Sequence, residues 1–197
     1  LKPQSTTLVV GFEKDLVKSH TKNYKVNYVS QDNQLGTGHA VLQMQNVLEN
    51  QKGHLLILSG DVPNIKSASL FPIIRHHIKN NHSATVLTAI VSDSTGYGRI
   101  IRNINGDLLK IVEEKDCNNE QRNIKEINSG IFIFKISELF PQLKNIKSNN
   151  AQREYYLTDV MELIGEKMSI HASIIGDSSE VLGINTVNQL SDLENKN

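Results

Sequence analysis

Short apolar runs of strand length alternate with amphipathic segments over the first ninety residues of the chain. Strands are predicted at 7–11, 26–30, 55–58 and 84–91, and helices between them at 13–19, 39–49 and from about 69 to 81. Leu55–Leu58 is apolar throughout, as expected for a parallel strand that is covered on both faces. Because consecutive parallel strands need a helical crossover, this rhythm predicts an α/β fold with a doubly wound, mostly parallel sheet.

The second half of the chain has a different pattern. Arg99–Ile104 and Leu108–Val112 flank Asn105-Gly106, a dipeptide favoured in two-residue hairpin turns, which predicts a small antiparallel lobe. A further strand at 130–134, a helix carrying Tyr156 to Ile164 and a late strand at 169–175 complete the expected order. No linker or repeat interrupts it, so we expect a single domain over residues 1–197.

Composition excludes several classes of partner and site. Lysine plus arginine and aspartate plus glutamate both number 21, so no net charge draws the chain to nucleic acid or to a membrane. Cys117 is the only cysteine, which rules out an intramolecular disulfide and favours a reducing, cytoplasmic location. The seven histidines show no metal-site spacing, and His76-His77 is expected on an exposed helix face.

The segment Gly36-Thr37-Gly38 is the first candidate for binding. Its glycines can leave backbone N–H groups open to a ligand, and Gln31 offers a donor and an acceptor to a base edge. The alternative is a flexible turn before a helix.

A second candidate, Ser59-Gly60-Asp61, directly follows the apolar strand. Open α/β sheets bind ligands at the carboxyl ends of their strands, and one carboxylate there can hold Mg²⁺ against phosphates. The alternative is an aspartate that caps the turn leading to Pro63.

Several weaker candidates lie further along the chain, and each has a structural alternative. Gly98 is either part of a turn or a bare backbone that a sugar can approach, and Glu113 belongs either to a site or to a solvated charge cluster. Asn128 and Asn185 can equally be turn residues, and Thr158 or Asp159 can cap a helix.

Together these segments resemble the uridylyltransferase domain of bacterial bifunctional N-acetylglucosamine-1-phosphate uridylyltransferases/glucosamine-1-phosphate acetyltransferases. The matching motifs are Gln34-Leu-Gly-Thr-Gly-His-Ala40 with Gln31, Ser59-Gly-Asp-Val-Pro63, Thr95-Gly-Tyr-Gly-Arg-Ile100, Ile111-Val-Glu-Glu-Lys-Asp116, Glu120-Gln-Arg122, Glu126-Ile-Asn-Ser-Gly130, Asn150-Ala-Gln152, Glu154-Tyr-Tyr-Leu-Thr-Asp159 and Gly183-Ile-Asn185. They occur in order from about residue 7 to the end of the chain.

The resemblance implies a fold of the nucleotide-diphospho-sugar transferase type and a Mg²⁺-dependent reaction. That reaction joins UTP to N-acetylglucosamine 1-phosphate and gives UDP-N-acetylglucosamine, a cell-envelope precursor, and pyrophosphate. It implies roles for three groups of residues: uridine contacts from Gln31, Gly36 and Thr37; metal ligation by Asp61 and Asn185, with Ser59 and Gly60 beside them; and sugar contacts from Gly98, Glu113 and Asn128, with Tyr156 and Thr158 nearby.

The chain also departs from the family pattern. The family's N-terminal glycine-rich loop and first strand have no counterpart here, so we expect this polypeptide alone to be poorly stable and inactive. Arg153 stands where glycine is usual, Asn64 where an apolar residue is usual, and Ser129 where threonine is usual, and these departures concern local loop geometry rather than membership of the family. The acetyltransferase part, through which a homo-oligomer would form, has no counterpart either.

Two other functions remain open at this point. One is a non-catalytic remnant that binds a nucleotide sugar without turnover. The other is a nucleotidyltransferase that acts on a different sugar 1-phosphate.

Overall fold

A computed structural model describes residues 2–184 and residue 191 of the chain. Its strands are β1 (Thr7–Val10), β2 (Asn27–Ser30), β3 (His54–Ile57), β4 (Ala84–Ile90), β5 (Arg99–Arg102), β6 (Leu108–Val112), β7 (Glu126–Lys135) and β8 (Ile170–Ile174). Its α-helices are α1 (Lys14–Thr21), α2 (Thr37–Leu42), α3 (Gln45–Leu48), α4 (Ser67–Lys79), α5 (Asn119–Arg122), α6 (Ile136–Leu143) and α7 (Thr158–Gly165). Short 3₁₀ turns follow β6 and β8 at Glu114–Asp116 and Ser178–Val181.

The main sheet has six strands in the order β6-β5-β7-β4-β8, with β3 also paired to β7. Strands β3, β4, β5 and β8 point the same way, because β3, β4 and β5 each pair antiparallel with β7 and β8 pairs parallel with β4. The predicted mixed sheet with a parallel majority is therefore confirmed. The predicted hairpin is confirmed as β5–β6, and it joins this sheet where Arg99 lies opposite Ile127.

The long strand β7 has two different partners along one of its edges. Its first residues pair with β5, and its last four, from Phe132 to Lys135, pair with β3. Gly130 lies between these two segments at a φ of 75°. A Cβ atom at Gly130 would lie 2.3 Å from the Ser59 Oγ, so only glycine fits where the chain leaving β3 passes β7.

Both faces of the main sheet are covered, as a doubly wound fold requires. Alternate residues of β7 point to opposite sides: Phe132 and Phe134 pack with α6 and α7, whereas Ile131 and Ile133 pack with the α4 side. The core therefore has two layers, one on each side of the sheet.

Strands β1 and β2 form a separate parallel pair. No backbone pairing joins them to the main sheet within residues 2–184. Val9 and Val29 nevertheless pack against the same apolar cluster as α6 and α7. The pair is therefore attached to the main sheet by side chains.

Two predicted helices differ from the structure. The helix expected at 39–49 is divided into α2 and α3 by a tight turn in which the Met44 N–H donates to the Val41 carbonyl, 3.0 Å away. Helix α4 begins at Ser67 rather than near Ser69, because the Lys66 carbonyl already accepts from the N–H groups of the first turn. Pro72 is the sixth residue of this helix, and it lies on the exposed side.

The buried face of α4 agrees only in part with the one predicted from the helical spacing of Leu70, Phe71, Ile74 and Ile78. Leu70, Ile73 and His77 face the core, whereas Phe71 and Ile78 are about half exposed. His77 is completely buried, contrary to the expected exposed histidine pair. Among the described residues, no helix combines the length and the apolarity that crossing a membrane needs.

Candidate functional site

The loop between β2 and α2 is held by the Gln31 side chain. Its Nε2 group donates to the Gly36 carbonyl at 3.1 Å and contacts the His39 Nδ1 at 3.0 Å. Gln31 is 9% exposed, so its amide lies at the edge of the protein interior. With Nε2 engaged, its Oε1 is the atom that can accept from a ligand.

Gly36 is required by the backbone at this point. Its φ is 108°, and a Cβ atom there would lie 2.7 Å from the Tyr155 carbonyl oxygen. The Gly38 N–H donates to that same oxygen at 2.8 Å. The expectation that both glycines leave their N–H groups open to a ligand is therefore wrong for Gly38.

Thr37 joins this loop to the start of α7. Its Oγ1 accepts a hydrogen bond from the Leu157 N–H at 3.0 Å, and the Tyr155 N–H donates to the Leu35 carbonyl at 2.8 Å. Residues 35–37 and 155–157 are therefore held side by side, and Thr158 directly follows the second segment.

The structure brings four of the predicted sugar-contacting residues together. The Thr158 hydroxyl donates to the Glu113 Oε1 at 2.9 Å. A Cβ atom on Gly98 would lie 3.2 Å from the Glu113 Oε2 and 3.4 Å from the Asn128 Cβ. The Asn128 N–H donates to the Gly98 carbonyl at 2.8 Å. Helix capping by Thr158, the structural alternative, is not observed, because the first turn of α7 has no side-chain cap.

Two adjacent glutamates in this region have opposite environments. Burial raises the pKa of Glu113, and Asp159, Asp116 and Glu154 add to that rise. Glu114 contacts the Arg99 guanidinium at 2.7 Å and that of Arg122 at 2.6 Å. The alternative of a solvated charge cluster is therefore wrong here, because Glu114 has a structural role and Glu113 is held at the site.

Ser59, predicted to lie beside the metal, is connected through Gly130 to Asn128, a predicted sugar contact. The Ser59 hydroxyl donates to the Gly130 carbonyl at 3.1 Å, and the Gly130 N–H donates to the Asn128 Oδ1 at 2.9 Å. Asn128 lies inside β7 rather than at a strand start, and its side-chain NH₂ group remains to bind a ligand.

Asp61 and Gly60 are exposed in the turn after β3. The Asp61 carboxylate forms no hydrogen bond or ion pair within the described part of the chain, so nothing there supports the turn-capping alternative. Its backbone carbonyl accepts from the Ile184 N–H at 2.9 Å, and the Gly183 N–H donates to the Tyr97 hydroxyl at 3.2 Å. Asn185, the second predicted metal ligand, lies outside the described residues.

Tyr156 is buried beside this set. Its hydroxyl has no hydrogen-bond partner among the described residues, and burial raises its pKa to about 12. Burial likewise raises the pKa of Asp159 to about 6, with repulsion from Glu162 and Asp116 adding to the rise. The Tyr156 hydroxyl is therefore neutral near pH 7.

Two residues of the site were not singled out by the sequence analysis. Arg99, which is 1% exposed, supports Glu114 and the turn that carries Gly98. Tyr97 holds the segment at Gly183 beside Asp61. Both lie in the motif at 95–100, but the sequence does not reveal that Arg99 is buried or which group the Tyr97 hydroxyl contacts.

The polar side chains of the site gather past the carboxyl end of β3 and along the adjoining part of β7, where Asn128 lies opposite Thr88 of β4, on a sheet that helices cover on both faces. This is where open α/β proteins bind nucleotides and other phosphate esters. His39 lies beside this site, but its Nδ1 contacts the Gln31 Nε2 and its Nε2 contacts the Gln43 Nε2. Cys117 is buried, with its Sγ directed at the Val112 carbonyl. The arrangement is therefore suited to positioning substrates and balancing charge.

The chain belongs to the nucleotidyl transferase family, whose pattern matches residues 7–187. It is 42% identical over 187 residues to the bifunctional protein GlmU of Clostridium botulinum strain Loch Maree, covering 95% of this chain and 41% of that protein. It is 46% identical over 186 residues to the bifunctional protein GlmU of Acetivibrio thermocellus, covering 94% of this chain and 40% of the relative. The chain thus spans about two-fifths of the length of these relatives.

Solved structures share the fold. A putative glucose-1-phosphate thymidylyltransferase from Bacillus anthracis, solved with a sucrose, superposes with a TM-score of 0.71 at 16% identity, covering 96% of this chain and 74% of that chain. A UDP-glucose pyrophosphorylase complexed with UDP-glucose superposes with a TM-score of 0.65 at 17% identity, covering 98% and 82% of the two chains.

Proposed function

We propose that this chain is the uridylyltransferase part of an enzyme that makes UDP-N-acetylglucosamine. The substrates are UTP and N-acetylglucosamine 1-phosphate, and pyrophosphate is released. The observation that carries this proposal is a path of contacts from the Gln31 loop through Thr158, Glu113 and Gly98 to Asn128, Gly130 and Ser59. The identity to GlmU proteins supports the choice of substrates.

Each residue is assigned a substrate contact according to the side-chain or backbone atoms that it leaves free to bind. Gln31 presents its Oε1 to the N–H edge of uracil, and Gly36 and Thr37 shape the loop beneath it. Glu113, held by Thr158, accepts from a sugar hydroxyl, and the Asn128 NH₂ group donates to another. Gly98 gives the sugar close access to the backbone.

Asp61 and Asn185 are the residues that would hold Mg²⁺. The exposed Asp61 carboxylate has no hydrogen-bond partner in the described part of the chain, and carboxylate and amide oxygens are hard ligands of the kind that Mg²⁺ binds. When bound, the metal neutralises phosphate charge at this edge of the sheet.

The reaction needs no protein nucleophile. A phosphate oxygen of the sugar phosphate attacks the α-phosphorus of UTP, and the bond from that phosphorus to the β-phosphate oxygen breaks as pyrophosphate leaves. Catalysis then depends on holding the two substrates in line, which the two connected halves of the site provide.

Pyrophosphate release with a panel of sugar 1-phosphates and nucleoside triphosphates tests the substrates. The full gene product should be fastest with UTP and N-acetylglucosamine 1-phosphate. A best rate with glucose 1-phosphate would replace the proposed sugar. Binding of UDP-N-acetylglucosamine without any turnover would favour the non-catalytic alternative. The same assay on residues 1–197 alone tests the expected inactivity of that piece.

Replacing Asp61 with alanine tests the metal role in the full gene product. Turnover should fall at least 100-fold, since transition-state charge stabilisation is worth several kcal/mol. Binding of UMP, measured by calorimetry without metal, should change less than about threefold, and Asp32→Ala is the matched control on an exposed aspartate. Unchanged turnover in Asp61→Ala would refute the metal role.

The wider setting is also part of the proposal. A nucleotide sugar of this kind is a precursor for the cell envelope, and its synthesis is placed in the cytoplasm, in keeping with the single cysteine. The chain would act as one part of a larger, oligomeric, two-activity protein, as the GlmU relatives are named bifunctional.

A further inference from the structure

Three histidines from separate segments meet at the amino end of the sheet. They are His76 near the end of α4, His82 in the loop that follows, and His171 in β8. Their ligating nitrogens all lie within 4.8 Å of one another. We propose that His76, His82 and His171 bind one transition-metal ion of the zinc type.

This cluster is remote from the nucleotidyltransferase site. His171 lies opposite Thr85, at the start of β4, whereas Asp61 follows the carboxyl end of β3. Since β3 and β4 run the same way, the histidines lie at the amino ends of these strands, whereas Asp61 lies in the turn beyond the carboxyl end of β3. The proposed ion is therefore distinct from the metal of the transfer reaction.

The geometry fits a compact nitrogen site. Tetrahedral zinc with Zn–N bonds of about 2.0–2.1 Å places its ligand nitrogens about 3.4 Å apart. The three ring centroids are 4.5, 5.0 and 5.3 Å apart, and the ligating nitrogens, which lie within 4.8 Å of one another, need to approach by at most about 1.4 Å to reach that spacing.

One ring nitrogen of His82 is buried without a hydrogen-bond partner among the described residues, and a metal ion could bind it. The His82 Nδ1 is 2.7 Å from the Ser169 hydroxyl, which fixes the ring as hydrogen-bonded partners do in metal-binding histidines. Its Nε2 is buried and has no hydrogen-bond partner among the described residues. A buried ring nitrogen usually has a partner, and a bound ion would supply one.

The neighbouring histidine pair differs and serves as an internal comparison. His77 contacts the Thr85 hydroxyl through Nδ1 at 2.8 Å and the His54 Nδ1 through Nε2 at 2.9 Å. Both of its nitrogens are therefore used within the protein. The proposed ligand set is confined to the other three rings.

The surroundings keep these rings in the form that binds metal. Burial lowers the pKa of His82, and it lowers the pKa of His171 to about 4, so both rings are neutral near pH 7. The nearby cations Arg102 and Lys135 are paired with Glu126 at 2.6 Å and with Glu138 at 3.7 Å, which reduces their repulsion of an ion.

The identity of the ion follows from the ligands. Imidazole nitrogens favour Zn²⁺, Ni²⁺, Co²⁺ and Cu²⁺ over Mg²⁺ and Ca²⁺, which prefer oxygen. His76 is exposed and borders the groove between α4 and β8, so a fourth position is open to water. The ion would join α4 to β8 and so stabilise the fold.

Titration of the chain with ZnCl₂ after removal of any histidine tag tests the site. Calorimetry should give one ion per chain with a micromolar or lower dissociation constant. Zinc at about 100 times that constant should raise the melting temperature by about 5–10 °C. MgCl₂ at the same concentration should not.

Single substitutions locate the ion. His76→Asn, His82→Asn and His171→Asn should each weaken zinc binding at least tenfold, and His20→Asn, an exposed histidine on α1, should leave it unchanged. His76→Asn is decisive, because an exposed side chain can be changed without loss of the fold, which circular dichroism verifies.

Three results would overturn the proposal. They are no zinc binding by the folded chain at 50 μM zinc, equal affinity in the folded His76→Asn variant, or an equal loss of affinity in His20→Asn.

Discussion

Glu113 and Glu114 are neighbours with opposite roles, and substitution separates them. Glu113→Gln removes a buried charge whose pKa is raised by burial, so the free energy of unfolding at pH 8 should stay within about 1 kcal/mol of the parent or rise. The KM for the sugar phosphate should increase at least tenfold. Urea unfolding and steady-state kinetics measure the two effects.

Glu114→Gln is the matched control for that substitution. It removes the charge that faces Arg99, whose side chain is almost fully buried, so stability should fall by about 2–4 kcal/mol. Equal losses of stability in both variants would contradict the assignment of Glu113 to substrate binding.

Arg153 carries a backbone strain that glycine would relieve. Its φ is 56°, in the left-handed region, and the side chain is exposed. Relief of that strain outweighs the extra freedom of glycine in the unfolded chain, so Arg153→Gly should stabilise the protein by about 0.5–1 kcal/mol. Thermal unfolding measures the change. Arg75→Gly, inside α4, should destabilise it by about 1 kcal/mol instead, and a destabilising Arg153→Gly would refute the strain.

The sequence motifs predicted a set of neighbouring residues, four of which, Gly98, Glu113, Asn128 and Thr158, the structure brings together. They did not show which hydrogen bonds those residues make. The Gly38 N–H is occupied by the Tyr155 carbonyl, a contact between segments more than a hundred residues apart. Such pairings depend on the tertiary fold, so a local motif cannot reveal them.

At the scale of single elements, the buried His77 of α4 predicts a loss of stability in acid. Burial, with repulsion from His54, lowers its pKa to about 4 from the ordinary 6.5. Between these values the unfolded chain binds a proton that the folded chain does not. Stability therefore falls by about 2 kcal/mol from this residue as the pH drops from 6.5 to 4.

His77→Gln should flatten the dependence of unfolding free energy on pH over that range, measured by urea titration. Asp159, whose pKa is raised to about 6, acts in the opposite direction below pH 6, but it is present in both proteins and cancels. His20→Gln should keep the parent slope. A slope unchanged by His77→Gln would contradict the prediction.

Helix α4 also shows why some elements were placed correctly and oriented wrongly. Its predicted apolar face comprised Leu70, Phe71, Ile74 and Ile78, whereas its buried residues are Leu70, Ile73 and His77. A histidine is not counted as apolar, so the pattern missed His77 and placed the face too far toward Phe71 and Ile78. The strands were easier to predict, because a run such as Leu55–Leu58 is apolar throughout and its assignment does not depend on choosing one buried face.

At the scale of the whole molecule, the two sheets should differ in stability. Strand β4 is hydrogen-bonded on both sides, by β7 and β8, and nearly all of its residues are buried. In the part of the chain that the structure describes, strand β1 pairs only with β2, and most residues of both are half-buried. Amides of β1 and β2 should therefore exchange through local opening, and those of β4 only through global unfolding.

Hydrogen exchange followed by mass spectrometry measures this difference. Peptides covering 7–10 and 27–30 should exchange at least 100-fold faster than those covering 84–90. Equal protection of the two sheets would show that the molecule opens as one unit.

The alternation of strands and helices was sufficient to predict the class of fold and the hairpin. It could not predict that β7 would lie between β3 and β4. That placement requires one long strand to pair antiparallel with strands that are adjacent in sequence, and no local pattern encodes such pairing.

One short segment of β7 links the two parts of the candidate site. Asn128, on the sugar side, and Phe132, which lies opposite the last residue of β3, are four residues apart on one strand. Strand β4 covers the same interval with only two residues, from Val86 to Thr88, so β7 accommodates two extra residues in a bulge around Gly130. A deletion between 128 and 132 would straighten this bulge, and under the proposed function it would shift Asn128 relative to Ser59 and misalign the two substrates.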